Sequence, residues 1–338
     1  MSVPLPGAKN RNHTIDLLRF VSAAYVALFH FNAPIQFNGG WYADFCNRGK
    51  LGVPVFFIIS GYCIRLAHKH TKTPREFIVR RLFRIFPPYW FSLFVTVLCI
   101  LILKIITGYN SVVTLPKNVS EILVTPFLYT YPLSNIQPIN LVYWTLPYEL
   151  FFYFIIFLAI IPKSKWRMFL PLALTATAII IPLQQTGILF FFTELPTFML
   201  GYALCILINE GVQWPGGLLF ILSVAGICIK HPEVGYLLAS TIAVAAIFID
   251  NRKPLRNNII SRLGDVSYSI YLLHVPVCVY LLGFLYKIQA VRHYIILNIL
   301  VDIFLMAVVI FVSIFAYKYV EAPSIEWGKK FARRKVKI

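Results

Sequence analysis

The sequence predicts an all-α, polytopic transmembrane bundle of about ten helices with both termini in the cytoplasm. Three observations carry that prediction. Of 338 residues, 59% are hydrophobic and 13% charged, with a mean hydropathy of +0.75. No soluble core encloses that much apolar surface, so lipid must be the solvent for most side chains. Uncharged apolar stretches such as Ile85 to Leu103 recur along the chain, close to the about twenty residues a helix needs to cross a hydrocarbon layer of about 30 Å. The basic residues, finally, gather in alternate connections between those stretches.

Ten segments follow: 14–32, 49–67, 87–107, 141–161, 167–182, 187–208, 215–230, 234–250, 264–286 and 291–318. The first, interrupted by Asp16 and Arg19 and lacking a small-residue cleavage site, is expected to stay as a membrane helix. Of the 31 Lys and Arg, 23 fall on the side that holds both termini and seven on the other. Cytoplasmic loops retain basic residues, so both ends are placed inside. An odd number of helices would break this asymmetry. The 108–140 connection carries Pro116, Pro126, Pro132 and Pro138, which argue against a further span and for a re-entrant or surface segment near Ile122 to Tyr129. Residues 1–338 read as one integral-membrane domain, and the basic tail from Lys329 to Lys337 as an anchor on anionic headgroups.

A net charge of +18 suggests nucleic acid in a soluble protein, but here topology accounts for it, and no nucleic-acid partner is expected. Cys46, Cys63, Cys99, Cys205, Cys228 and Cys278 form no CxxC or paired pattern. They read as small core residues, with no metal site and no disulfide framework.

Ionisable groups inside apolar helices are the informative residues, because they are costly unless they face an interior cavity. Arg19 and His30 are eleven apart, about 20° from three whole turns, and so share one face about 16 Å apart. Asp16 can hold the Arg19 guanidinium; a snorkelling pair beside an interfacial His is the structural alternative. Arg81 and Arg84 present two planar forks on one helical side just before Pro87 and Pro88, a geometry suited to phosphate, though basic flanking alone also explains them. Glu149 follows Trp144-Thr145-Leu146-Pro147-Tyr148 and precedes a wholly apolar run. At the depth of His30 it can orient that ring, or else remain a neutral buried acid. Tyr268, Tyr271 and His274 form a polar stripe at i, i+3, i+6, behind a helix start capped by Asp265 or Ser267. Glu194 and Asp302 have no partner visible in the sequence, and Ser60 lacks the Gly-x-Ser-x-Gly turn of a nucleophile, so small-residue packing explains Gly52 to Gly61.

Six pieces in order resemble the membrane-bound acyltransferase 3 family, which includes bacterial O-acetyltransferases of surface polysaccharide, lipopolysaccharide and related glycans. They are Ile15 to Arg19 with His30, Gly52 to Gly61, Arg81-x-x-Arg84, Trp144 to Glu149, Val266 to His274, and Tyr319 to Pro323. The resemblance implies a ten-helix bundle of the bacterial inner membrane that uses acetyl-CoA or another acyl-CoA as co-substrate, with no metal. It puts Arg19, Arg81 and Arg84 near the donor and His30 in catalysis; the residues themselves suggest that Glu149 orients His30 and that Tyr271, His274 and Trp144 position a glycan acceptor. A transporter or flippase of a lipid-linked sugar is the alternative that also uses a polar path through such a bundle. The sequence departs from the family at Glu194, where members often carry a basic residue. With no esterase-like domain after the bundle, any shuttle to a distant polymer is expected to need a separate partner.

Overall fold

Capping chemistry sets where two of the long helices begin. In a computed structural model that describes residues 12–33, 40–71, 73–108, 115–161, 165–252, 255 and 262–333, the Asn12 side chain accepts the Ile15 amide at 2.9 Å and opens α1 (His13–Asn32). After the short α2 (Trp41–Asn47) comes α3 (Gly52–His70). Thr73 then accepts the Glu76 amide at 3.1 Å, with Pro74 in the first turn, and starts α4 (Pro74–Thr107). This corrects the segment expected to begin at Pro87. Basic residues between 75 and 84 lower the local hydropathy, yet the helix is continuous through them, and Pro87 and Pro88 sit inside it.

The remaining helices are α5 (Val119–Val124), α6 (Thr145–Ile160), α7 (Phe169–Ile180), α8 (Leu195–Asn209), α9 (Trp214–Lys230), α10 (Val234–Arg252), α11 (Ser267–His274), α12 (Gln289–His293), α13 (Ile295–Ala316) and α14 (Ala322–Arg333). The last turn of α11 continues as a π-helical stretch, Val275–Leu281, and a second, Tyr317–Glu321, joins α13 to α14. No strand occurs among the described residues. The surface segment expected after Pro116 is α5, with Ile122, Leu123 and Phe127 exposed. Neither Asp265 nor Ser267 caps α11. A 3-10 turn, Leu263–Val266, feeds directly into it, and the Ser267 hydroxyl donates to the Gly264 carbonyl at 2.7 Å.

Among the described residues six helical segments are long and apolar enough to cross a membrane: His13–Asn32, Trp41–Lys69, Pro74–Ile106, Leu141–Ile160, Val234–Asn251 and Ile295–Arg333. Three shorter apolar helices, α7, α8 and α9, stand beside them. At 1.5 Å per residue the 15 residues of α8 reach about 22 Å; a 3-10 turn, Phe190–Phe192, precedes it. The chain is a multi-pass membrane protein. The tail residues Arg334, Lys335 and Lys337, the N-terminal Lys9 and Arg11 and most of the 252–262 loop lie outside the described residues.

The tightest helix crossing joins α3 to α8, where Gly61 and Gly201 face each other's backbone. The Glu194 carboxylate, unpaired in the sequence, receives the Tyr236 hydroxyl at 2.7 Å and lies 3.4 Å from His231 Nε2, with the His231 and Tyr236 rings stacked at 4.1 Å. Asp302 is likewise partnered, accepting from Asn32 Nδ2 at 2.8 Å and Tyr42 Oη at 2.5 Å.

His231 sits in the short turn between α9 and α10. Burial lowers the pKa of its ring, but the Glu194 carboxylate and then the Thr193 carbonyl outweigh that, raising it above the ordinary 6.5. Tyr236 and Glu233 also face it. A pKa raised on folding contributes stability that is fully present below the unfolded value and is lost as pH rises through the folded one. Thermal melts in detergent are therefore expected to fall as pH rises above the ordinary 6.5 of the ring for the wild type, and this slope is expected to flatten in His231→Gln. Equal slopes would remove the pair from the account.

Candidate active site

Helix direction decides which ends meet. The 3-10 turn that leads into α11 packs on the start of α1 so closely that a Cβ on Gly264 would lie 2.3 Å from the Asp16 carbonyl oxygen. The far ends of the same two helices meet at His30 and His274, whose ring centroids are 5.2 Å apart. The end where α1 begins is called basal here and the His30 end distal.

Between α1, α3, α4, α6, α8 and α11 lies a cavity of about 90 Å³, several times what one water needs. Its basal part is polar. Arg19, Arg81, Arg84 and Cys63 line it, with Glu149 and Tyr153. Arg19 donates to Cys63 Sγ at 3.2 Å and lies 3.9 Å from the Asp16 carboxylate. The Arg81 guanidinium sits 5.8 Å from the ring centroids of Phe77 and of Tyr153, and its Nε is buried with no hydrogen-bond partner. Among the described residues no carboxylate comes within 4.0 Å of Arg81 or Arg84. Glu149 accepts instead from Ser60 Oγ at 3.2 Å and from the Tyr153 hydroxyl.

The distal part is largely apolar, because α3 and α6 run opposite to α1 and bring Val53, Phe56, Phe57 and Leu146 to that end, with Phe198 from α8 and the Thr145 hydroxyl beside them. Phe57 stacks on Phe198 at 4.4 Å and Phe198 on Phe152 at 4.7 Å. Phe56 meets Tyr271 edge to face at 5.7 Å. The Tyr271 hydroxyl is fixed by Thr145 Oγ1 at 2.8 Å and the Val142 carbonyl at 3.1 Å.

His30 is not in the cavity wall. Three rings in series connect it: Tyr271 lines the cavity, His274 lies 5.9 Å from Tyr271, and His30 lies 5.2 Å from His274. His274 is fully buried. Its Nδ1 is 3.0 Å from the Ile270 carbonyl, which only accepts, so Nδ1 carries the hydrogen and Nε2 keeps a lone pair in the neutral ring. That Nε2 has no partner. Glu149, expected beside His30, is joined to Ser60 and Tyr153 instead, and the His30 ring has Phe29 and His274 as ring neighbours. Trp144 lies outside the lining, edge to face with Tyr148 at 5.8 Å.

The profile of a family described as an acyltransferase domain matches residues 12–318, nearly the whole chain. The chain belongs to the acyltransferase 3 family. This acyltransferase is 28% identical over 253 residues to the "Exopolysaccharide production protein ExoZ" of Rhizobium meliloti (strain 1021), covering 67% of the chain and 75% of that protein. It is 38% identical over 81 residues to the "Putative membrane-bound transacylase BcsY" of Komagataeibacter xylinus, covering 23% of the chain and 18% of that protein. To "Nodulation protein 10" of Rhizobium leguminosarum bv. viciae it is 28% identical over 144 residues, 41% of the chain and 35% of that protein. No solved structure matches significantly.

Of the acyltransferase residues singled out in the sequence, the fold gathers Arg19, Arg81, Arg84, Glu149 and Tyr271 around one cavity, places His274 and His30 behind it, and leaves Trp144 outside. Cys63 and Ser60 were expected to serve packing alone; both line the cavity. Their signal was present, since they lie three apart on the α3 face that carries Phe56. Tyr153 follows Glu149 by one helical turn and was equally readable. Glu321, 2% exposed, accepts from Ser269 Oγ at 2.8 Å and gives the Tyr319 to Pro323 piece a buried polar contact with α11. Among the described residues no cluster of three or more His, Cys, Asp or Glu is placed to hold a metal.

Proposed function

We propose that this acyltransferase moves a short acyl group, acetyl first among them, from acyl-CoA on the cytoplasmic face to a hydroxyl of a surface polysaccharide or lipid-linked glycan. The carrying observation is the pair of half-buried guanidiniums, Arg81 and Arg84, that line the cavity with no carboxylate within 4.0 Å among the described residues, the Arg81 Nε being buried without a hydrogen-bond partner. A buried charge is costly unless it is paired, and planar donors of this kind suit phosphate. A glycan acceptor is supported by the exopolysaccharide role in the printed name of one relative and transacylation in that of another.

In this reading ten crossings, the tenth formed by α11 with its π-helical extension, place the basal end in the cytoplasm of a bacterial inner membrane. Arg19, Arg81 and Arg84 bind the donor, and its thioester passes toward the distal end. His30 takes the proton of the acceptor hydroxyl as the oxygen attacks the carbonyl carbon. The carbon–sulfur bond breaks and the CoA thiolate accepts the proton. His274 Nε2, with its free lone pair, holds the His30 N–H or a bridging water, and Tyr271 and Trp144 flank the acceptor's approach. Glu149 acts on the donor side, keeping Ser60 and Tyr153 in place beside the arginines.

Two measurements test the reading. Detergent-purified protein given labelled acetyl-CoA and a glycan acceptor is expected to leave covalent label on the glycan; movement of unmodified sugar across a vesicle instead would favour a transporter. Cys63 also reports occupancy, because it touches Arg19 in the cavity. Its alkylation by a small maleimide, followed by peptide mass spectrometry, is expected to slow at least about tenfold at saturating CoA. Unchanged alkylation would move the donor elsewhere.

A further inference from the structure

The polarity of the cavity changes along its length, and that change assigns its two ends to different parts of a thioester. The basal end offers charge and hydrogen bonds; the distal end offers mainly Val53, Phe56, Phe57, Leu146 and Phe198, closed by Tyr271 and Thr145, whose hydroxyls are bonded to each other. We propose that this distal end is the acyl subsite and that Phe56, set against Tyr271, is the wall that limits the transferred group to a short chain. The inference rests on the acyl-CoA reading above and adds to it the element that sets acyl length.

Three features make the wall a ruler and not a yielding surface. Phe57, Phe198 and Phe152 form one stacked series, with centroid separations of 4.4 and 4.7 Å, and Phe57, Phe198 and Phe152 are 4% exposed or less. A ring in that series has nowhere to rotate without displacing the next, as in any close-packed interior. Tyr271 cannot swing away cheaply, since its hydroxyl is held by two hydrogen bonds and lies among buried neighbours. Phe56 is the half-buried member, set edge-on against Tyr271, so its truncation opens the wall with the least disturbance. On the far side of Tyr271 stand His274 and His30.

Apolar pockets discriminate one methylene by about 10- to 200-fold, so the effect is measurable. Acetyl-, butyryl- and hexanoyl-CoA are compared in wild type, Phe56→Ala and Phe56→Leu, with Phe94→Ala, an exposed α4 residue, as a control. Transfer rate and the protection of Cys63 from alkylation are both read. The wild type is expected to favour acetyl, and Phe56→Ala to shift the hexanoyl-to-acetyl ratio upward at least about tenfold, with Phe56→Leu between them. An unchanged ratio in both variants, by rate and by protection, overturns the ruler. If acyl-CoA protects Cys63 but no variant transfers, the functional reading fails while the subsite still stands or falls on how protection depends on chain length. Absence of both transfer and protection in the wild type overturns both.

Discussion

His30→Ala protein is expected to transfer acyl groups about 10²- to 10⁴-fold more slowly than wild type, the range removed with a positioned general base, while CoA still protects its Cys63. The two readouts separate because His30 lies outside the cavity that holds Arg19 and Cys63. Loss of the imidazole removes the group that accepts the hydroxyl proton and leaves the donor site intact. Arg81→Ala is expected to show the opposite pattern, with Cys63 protection lost first. His274→Phe keeps a ring in contact with His30 and Tyr271 but deletes the unpartnered Nε2; an intermediate rate is the expected outcome. Wild-type transfer by His30→Ala would exclude the imidazole as the base.

The sequence shows some of these relations and hides others for identifiable reasons. Arg19 and His30 share a face of α1 by spacing alone, and Arg81 and Arg84 by theirs, because a helix converts spacing into direction without help from its neighbours. The placement of Glu149 depends on how α6 is rotated in the bundle. From Leu150 to Ile160 that helix is apolar except for Tyr153, which marks the inward face but not which helix it meets, and equal depth with His30 did not imply contact. The His30–His274 contact joins α1 to α11 and is wholly tertiary. The start of α4 was legible in Thr73-Pro74, a capping pair, but hydropathy averaged over a charged turn concealed it. Cys63 looked inert because its neighbours in sequence are apolar, whereas its neighbour in space is a guanidinium.

Gly61→Ala and Gly201→Ala are each expected to abolish accumulation of folded protein. A Cβ on Gly61 would stand 1.9 Å from the Phe198 carbonyl oxygen, and one on Gly201 1.8 Å from that of Ile58. The obstructing atoms are backbone in both directions, so no rotamer change relieves the overlap, and the helices must separate. Overpacking that side chains can partly absorb already costs about 1–3 kcal/mol; here separation also removes the close approach on which membrane helix association depends. α3 carries Phe56, Ser60 and Cys63, and α8 carries Phe198, so the same displacement would pull apart one wall of the cavity. Gly217→Ala provides the comparison, since nothing lies within 4 Å of its added Cβ and alanine favours the helix by about 1 kcal/mol. Gel filtration and melting in detergent should show Gly217→Ala at or above the wild type and the two crossing variants aggregated or absent. Melting of Gly61→Ala within a few degrees of the wild type would mean that α3 and α8 do not pack through these glycines.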